Sequence, residues 1–294
     1  MDFKKFIETQ KLSDHPIGLG GCRNMDSFFD SCDYDIMVFD ENRSNREVIS
    51  FENNLVTLHH ASLSETNTKK LLQYDNLKIL QDASWNLKIF LSKISQKRDN
   101  LFSDFAKNSI IESIFCCQKT KDGIENNDIF ASCWQKCASY YLADAISSLN
   151  HNLSSPSHML NSLRKFEKNS INNHISNILQ NIGIERATPT LLERMLKSSI
   201  GFSDLIENNN HSQLIQKKYD YFLDNSMLSD CYFYLVYVNK ENFVQIKDEL
   251  NRRQDLIHIL KIAFDIESDS NLLLQQAETI QTSCTEILDI TSQS

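Results

Sequence analysis

Three of the six glycines in this 294-residue chain stand within four positions, at Gly18, Gly20 and Gly21. Proline occurs 3 times in all, so one short stretch near the N-terminus concentrates the backbone freedom that the rest of the chain does without. A chain this poor in residues that interrupt regular structure, with Leu, Ile, Lys, Gln and Glu recurring at helical spacing, is expected to be largely α-helical. The glycine stretch marks the place where the main chain must turn, or be approached closely, with no Cβ in the way.

Around that stretch the pattern is of strands. Phe3, Phe6 and Ile7 stand at i, i+3 and i+4 in a short amphipathic helix over Phe3–Gln10, and Ser13-Asp14-His15-Pro16 ends it. Ile17–Gly20 and the β-branched and aromatic run Tyr34–Phe39 read as neighbouring strands. Glu47–Phe51 and Leu55–His60 read as two more, joined through Glu52-Asn53-Asn54, whose asparagines suit the left-handed backbone of a tight hairpin. A helix over Ser64–Tyr74 is expected to cover the sheet.

Further along, helical periodicity takes over. Trp85, Ile89 and Ile94, then Phe102, Phe105, Ile110, Ile111, Ile114 and Phe115, mark the apolar faces of long helices, and Ile129–Leu149 marks another beyond a polar loop at Lys119–Asn127. Ser155-Pro156 and Thr188-Pro189 each set a hydroxyl at an N-cap before a proline in the first helical position, and Ser268-Asp269 caps a final helix. Cys231–Val238 suits a buried helix or a strand, and periodicity does not choose. Its Tyr232, Phe233, Tyr234 and Tyr237 are interleaved with Leu235, Val236 and Val238, which favours core over a base-stacking platform.

The formal net charge of −9 and pI near 5.4 argue against a chain whose main task is to coat nucleic acid, while leaving room for a local basic groove. No apolar run approaches the roughly 18 residues of a membrane span, and the N-terminus lacks the pattern of a signal peptide. A cytoplasmic location without a membrane partner is therefore expected. The eight cysteines are then expected as reduced, mostly buried thiols. A zinc site is disfavoured because adjacent Cys116 and Cys117 on a helix point about 100° apart.

The chemistry-bearing segment is Ile17-Gly18-Leu19-Gly20-Gly21-Cys22-Arg23, followed after ten residues by Asp33-Tyr34-Asp35-Ile36-Met37-Val38. Aspartates at i and i+2 of a strand project from one face, a few ångströms apart. Like charges that close need a cation between them, and Mg²⁺ favours carboxylate and phosphate oxygens together. A glycine pair ending the preceding strand lets backbone amides reach phosphate oxygens. The combination reads as a site for a triphosphate and a metal.

This segment resembles the signature of the DNA polymerase β nucleotidyltransferase superfamily, in its small bacterial and archaeal type: a glycine-serine turn, a spacer, then Asp-hydrophobic-Asp on a strand. Gly20-Gly21 matches the glycine pair, and Asp33 and Asp35 match the metal-binding and catalytic carboxylates. The resemblance covers about the first quarter of the chain. It implies a small mixed β-sheet nucleotidyltransferase domain with flanking helices at 1–78, and the helical periodicity beyond it makes the expected class α+β, with a larger all-α domain at 79–294. It also implies transfer of a nucleoside monophosphate from an NTP, ATP above all, to an acceptor hydroxyl or phosphate, with Mg²⁺ or Mn²⁺ as cofactor and two ions clamping the reacting oxygens. Gly20, Gly21, Cys22 and Arg23 would then line the nucleotide. The acceptor is open among a small molecule, an RNA end and a protein, and a homodimer is compatible with the reading.

Two departures shape the expectation. Cys22 stands where the family carries serine, and a thiol donates a weaker hydrogen bond, although the amide at 22 remains. The third carboxylate of the family falls at Thr57; His59 on the same strand face, Glu47 and Glu52 are the alternatives, and the sequence does not choose among them. The competing reading is a degenerate member that binds a nucleotide or a partner protein without turnover. Arg23 suits a phosphate or a carboxylate such as Asp30, and His60, on the opposite strand face from His59, suits a core or interface position.

Overall fold

The computed structural model describes residues 1–25, 28–42, 46–206, 211–250 and 253–292. The chain forms two units, Met1–Phe102 with Glu207–Tyr221, and Ser103–Ile206 with Phe222–Ser294. The class is α+β: a mixed sheet and its helices in the first unit, helices in the second.

The sheet is built from Ile17–Gly20 (β1), Tyr34–Phe39 (β2), Glu47–Phe51 (β3), Asn54–Ala61 (β4) and Lys78–Gln81 (β5), in the order β3-β4-β2-β1-β5. β2 and β4 pair in parallel and the other pairs are antiparallel. The hairpin between β3 and β4 turns on Glu52 and Asn53 at φ 47° and 62°, so Asn54 opens β4 instead of sitting in the turn. β5 leaves no strand signal in the sequence, because its four residues are partly polar and carry little alternation. It pairs with β1, so the sheet runs through the boundary expected at 78/79, and the first unit continues to Phe102.

Each face of the sheet has its own core. Phe3–Thr9 (α1) begins where Asp2 accepts from the Lys5 amide at 3.1 Å, and it lays Phe6 and Ile7 on Ile17, Leu19, Ile36, Val38, Val56 and Leu58. The opposite face starts polar, at Asp35 and Thr57, and becomes apolar further along the strands at Met37, Phe39 and Ala61. Tyr74, Leu77 and the buried side of Asn86–Gln96 (α3), through Leu87 and Ile94, cover that apolar end. The covering helix expected over Ser64–Tyr74 is shorter, Thr68–Gln73 (α2), because Asn67 caps it by accepting from the Lys70 amide. Trp85 and Ile89, expected on the buried stripe, are exposed. Trp85 at φ 63° stands outside α3, and the helix turns Leu87 and Ile94 inward instead.

Arg98–Glu125 (α4), in the second unit from Ser103 onward, runs through the loop expected from Lys119. Within this unit its buried side carries Ala106, Ser109, Ile110, Ser113, Cys116, Cys117 and Thr120, which leaves Ile111 and Phe115 exposed. Small polar residues occupy that stripe because they bond backbone: Ser113 donates to the Ala138 carbonyl at 2.8 Å and Thr120 to that of Cys116 at 2.9 Å. Ala131–Leu149 (α5) is buried nearly along its whole length. Pro156–Leu163 (α6) and, after Ile175–Ile182 (α7), Pro189–Ile206 (α8) begin at the expected Ser-Pro and Thr-Pro pairs. After His211–Asp224 (α9) comes Leu228–Leu250 (α10), which contains the ambiguous run 231–238 as a helix, with Tyr232, Phe233, Tyr234 and Tyr237 all in the core. Gln254–Phe264 (α11) precedes Ser270–Ser292 (α12), which is capped by Asp269 accepting from the Asn271 amide at 2.9 Å. All eight cysteines are buried and none is in a disulfide. No helix among the described residues is long and apolar enough to cross a membrane.

Candidate functional site

The site grows from the register of β2 on β4. Asp35 lies opposite Thr57 and Met37 opposite His59, so all four side chains leave the same face of the sheet. Asp33 stands one residue before β2, and its carboxylate reaches the same place. Its Oδ2 accepts from Thr57 Oγ1 at 2.5 Å, while Asp35 Oδ1 meets His59 Nε2 at 3.0 Å. A carboxylate only accepts, so His59 Nε2 carries the proton of that bond.

Gly21 explains the glycine concentration. It sits at φ 64° immediately after β1, and a Cβ there would lie 1.9 Å from Asp35 Oδ2. The turn therefore passes directly against one carboxylate, and a side chain would occupy the carboxylate's own space. Gly18 and Gly20 answer a milder demand, with Leu77 packed over both. Cys22 opens a 3-10 turn, Cys22–Asn24, with its own side chain buried, and its thiol donates to Cys32, holding the Cys32 thiol below its ordinary value against the effect of burial. Arg23 does not pair with the Asp30 carboxylate. Its Nε donates to the Cys32 carbonyl and Nη2 to the Asp30 carbonyl, both at 3.0 Å, and its guanidinium lies 4.5 Å from the Phe28 ring centroid. Arg23 thus ties the loop that delivers Asp33 back to the glycine turn.

The open question of the third acid has a geometric answer for both glutamates. Glu47 lies opposite Leu58, on the face that α1 covers, and Glu52 is paired with Lys5 of α1 at 2.7 Å. Neither shares the face of Asp33 and Asp35, which Thr57 and His59 do. His60, on the other face, bonds Asp40 at 2.7 Å.

The sequence reading missed Lys218. This α9 residue lies within the first unit and sets Nζ 3.0 Å from Asp33 Oδ1, with the lysine side chain 13% exposed and that of the aspartate 6%. Burial alone would raise the Asp33 carboxyl, but the Lys218 charge and the hydrogen bonds from Thr57 and Lys218 outweigh it and hold Asp33 well below the usual carboxylate range. His211 lies two helical turns earlier, on the same face of α9. It is pushed down to about 3, first by burial and then by the charges of Arg46 and Lys218, so its imidazole is neutral. Arg46 Nη2 is 3.3 Å from His211 Nε2, which fixes Nε2 as the acceptor. No local sequence signal links α9 to β2, since the two segments lie far apart along the chain.

Asp33 and Asp35 bring hard oxygens to one face, the kind of donor a divalent ion takes, with both Asp33 oxygens held by Thr57 and Lys218 and Asp35 Oδ1 by His59.

No protein-family model and no curated protein matches this chain. Among solved structures, a nucleotidyltransferase-like protein from Exiguobacterium sibiricum 255-15 matches with 12% sequence identity, over 85% of this chain and 87% of its own, at a TM-score of 0.35. At that score the likeness carries no weight beside the register and contacts described above.

Proposed function

We propose that this chain is a metal-dependent nucleotidyltransferase that moves a nucleoside monophosphate from an NTP, ATP being the first to try, to an acceptor group. The observation that carries the reading is the main-chain turn at Gly21 lying against the Asp35 carboxylate, with Asp33 reaching the same sheet face. In this reading Asp33 and Asp35 hold Mg²⁺ or Mn²⁺, and the ion supplies charge to the phosphates it contacts. The amides at Gly21 and Cys22 face phosphate oxygens, an anion seat that needs no side chain. His59, with Nε2 engaged by Asp35, offers Nδ1 to take the proton of the acceptor hydroxyl as its oxygen bonds the α-phosphorus and pyrophosphate leaves. Thr57 holds Asp33 in place without adding a charge.

A second reading is favoured by the same contacts. Both oxygens of Asp33 are already engaged, by Thr57 and by Lys218, as suits a site that binds nucleotide without turning it over. The test is incubation with labelled NTPs and Mg²⁺ or Mn²⁺ across small-molecule, RNA-end and protein acceptors. Pyrophosphate release is expected in the wild type and its loss in Asp33→Ala/Asp35→Ala. Release that survives the double substitution would sink the transferase site, and nucleotide binding without release across all acceptors would establish the second reading.

A further inference from the structure

We propose that Cys22 and Cys32 are a modification site, joined by peroxide in a reversible disulfide that ties the glycine turn to the segment leading into Asp33; the inference needs neither the metal nor the nucleotide reading. The two sulfurs are already neighbours. The Cys22 thiol donates to Cys32, and the two Sγ atoms lie within 4.8 Å of one another. The main chain is held to match, because Arg23, next after Cys22, donates to the carbonyls of Cys32 and Asp30, both at 3.0 Å. A disulfide sets its sulfurs about 2.05 Å apart, so the two ends must yield a little. Both can. Cys22 opens a three-residue 3-10 turn, and Cys32 lies outside any helix or strand. The other six cysteines stand inside α4, α5, α10 and α12, where shifting one Cβ means moving a helix. Cys22 and Cys32 are 5% and 1% exposed, yet the chain surfaces at Gly21 and at Asp30, so a molecule as small as hydrogen peroxide has little chain to pass.

The chemistry takes two steps. One thiolate attacks a peroxide oxygen, the O–O bond breaks, hydroxide leaves, and the sulfur, having given up two electrons, is a sulfenic acid. The second thiol attacks that sulfur, the S–O bond breaks, and water leaves with the disulfide formed. Two thiols and one peroxide thus give one disulfide and two waters, and an external dithiol reverses the bond by exchange. The bond clamps the residue that follows Gly21 to the residue that precedes Asp33.

The test exposes the reduced full chain to hydrogen peroxide, blocks remaining thiols with N-ethylmaleimide, and maps tryptic peptides by mass without reductant. Cleavage after Arg23 parts the two cysteines, so peptides 12–23 and 24–43 stay joined only through the bond. The joined pair, lighter by two hydrogens and released by dithiothreitol, is expected to form at least about tenfold faster than any cross-link among the helical cysteines. Cys22→Ser and Cys32→Ser are each expected to lack it. In urea, where Arg23 no longer holds the segments together, the pair is expected to lose its lead to Cys133 and Cys137, which are closer in sequence. Peptides that stay separate with both cysteines alkylated would overturn the proposal, as would a cross-link that forms first among the helical cysteines. A lead that persists unchanged in urea would do the same, by assigning the bond to chain proximity alone.

Discussion

In the sheet unit, Asp35 and His59 meet with their side chains 23% and 27% exposed, whereas in the helical unit Lys240 and Asp144 meet at 3.0 Å with side chains 1% and 9% exposed. Asp144 also accepts from Tyr237 at 2.9 Å, and the rings of Tyr141 and Tyr237 lie within 4.6 Å of the Lys240 ammonium. That cluster is sealed and its polar heads have partners inside the bundle, as a structural charge pair requires. At the glycine turn Asp33 is buried against Lys218 and Thr57, while Asp35, bonded through Oδ1 to His59, stays partly exposed. Buried charge with complete partners holds a fold together, and charge left partly unmatched at a surface is available to a ligand.

The comparison is broken most sharply at Asp144. Asp144→Ala leaves a buried ammonium without its main partner and is expected to lower unfolding free energy in urea by about 3 kcal/mol or more. A loss below about 1 kcal/mol would put the pair among surface ion pairs and erase the contrast. Next comes Gly21→Ala, which forces a Cβ into the Asp35 carboxylate at a positive φ. Mn²⁺ and ATP affinity are expected to fall, measured by calorimetry, and the rate of pyrophosphate release to fall about a hundredfold, since misplacing a group at the reacting centre by an ångström costs that order. Unchanged affinity would separate the turn from the carboxylate pair.

Lys136 gives a smaller effect with a definite sign. Burial pushes it down to about 8, from 10.5 in the unfolded chain, while its Nζ donates to the Ile182 carbonyl and the Tyr232 hydroxyl. Between those values the unfolded state binds more protons than the folded one, so stability rises with pH across that window. Wild type is expected to gain about 3 kcal/mol relative to Lys136→Met on going from below to above it, and a flat difference would show that the ammonium pays no burial cost. The smallest effect sits at a helix end. Asp269→Ala removes the acceptor that caps α12 and is expected to cost about 1 kcal/mol in thermal or urea unfolding, leaving Mn²⁺ binding unchanged.

Much of the sheet was legible because its signals are local. Tyr34–Phe39 and Glu47–Phe51 carry β-branched and aromatic residues between polar breaks, and the structure places strands on those same residues. The proline helix starts at 156 and 189 were equally local, since proline fixes its own φ. The exposed Trp85, Ile89, Ile111 and Phe115 show where periodicity failed. Which stripe of a helix is buried depends on what packs against it, and in α4 Ser113 and Thr120 sit on the buried stripe with their hydroxyls donating to the Ala138 and Cys116 carbonyls, Ser113 also accepting from the Cys284 thiol of α12.

By itself, then, the sequence determined the strand residues flanking the glycine turn, and the common face of Asp33 and Asp35, because strand periodicity and the steric demand for glycine act over a few bonds. Tertiary structure decided that Thr57 and His59 share that face while Glu47 and Glu52 leave it, because strand register is set by pairing between distant segments. It also decided that the cation on Asp33 is Lys218 of α9, a contact that arises when a helix far along the chain folds back beside the sheet and electrostatic attraction acts through space.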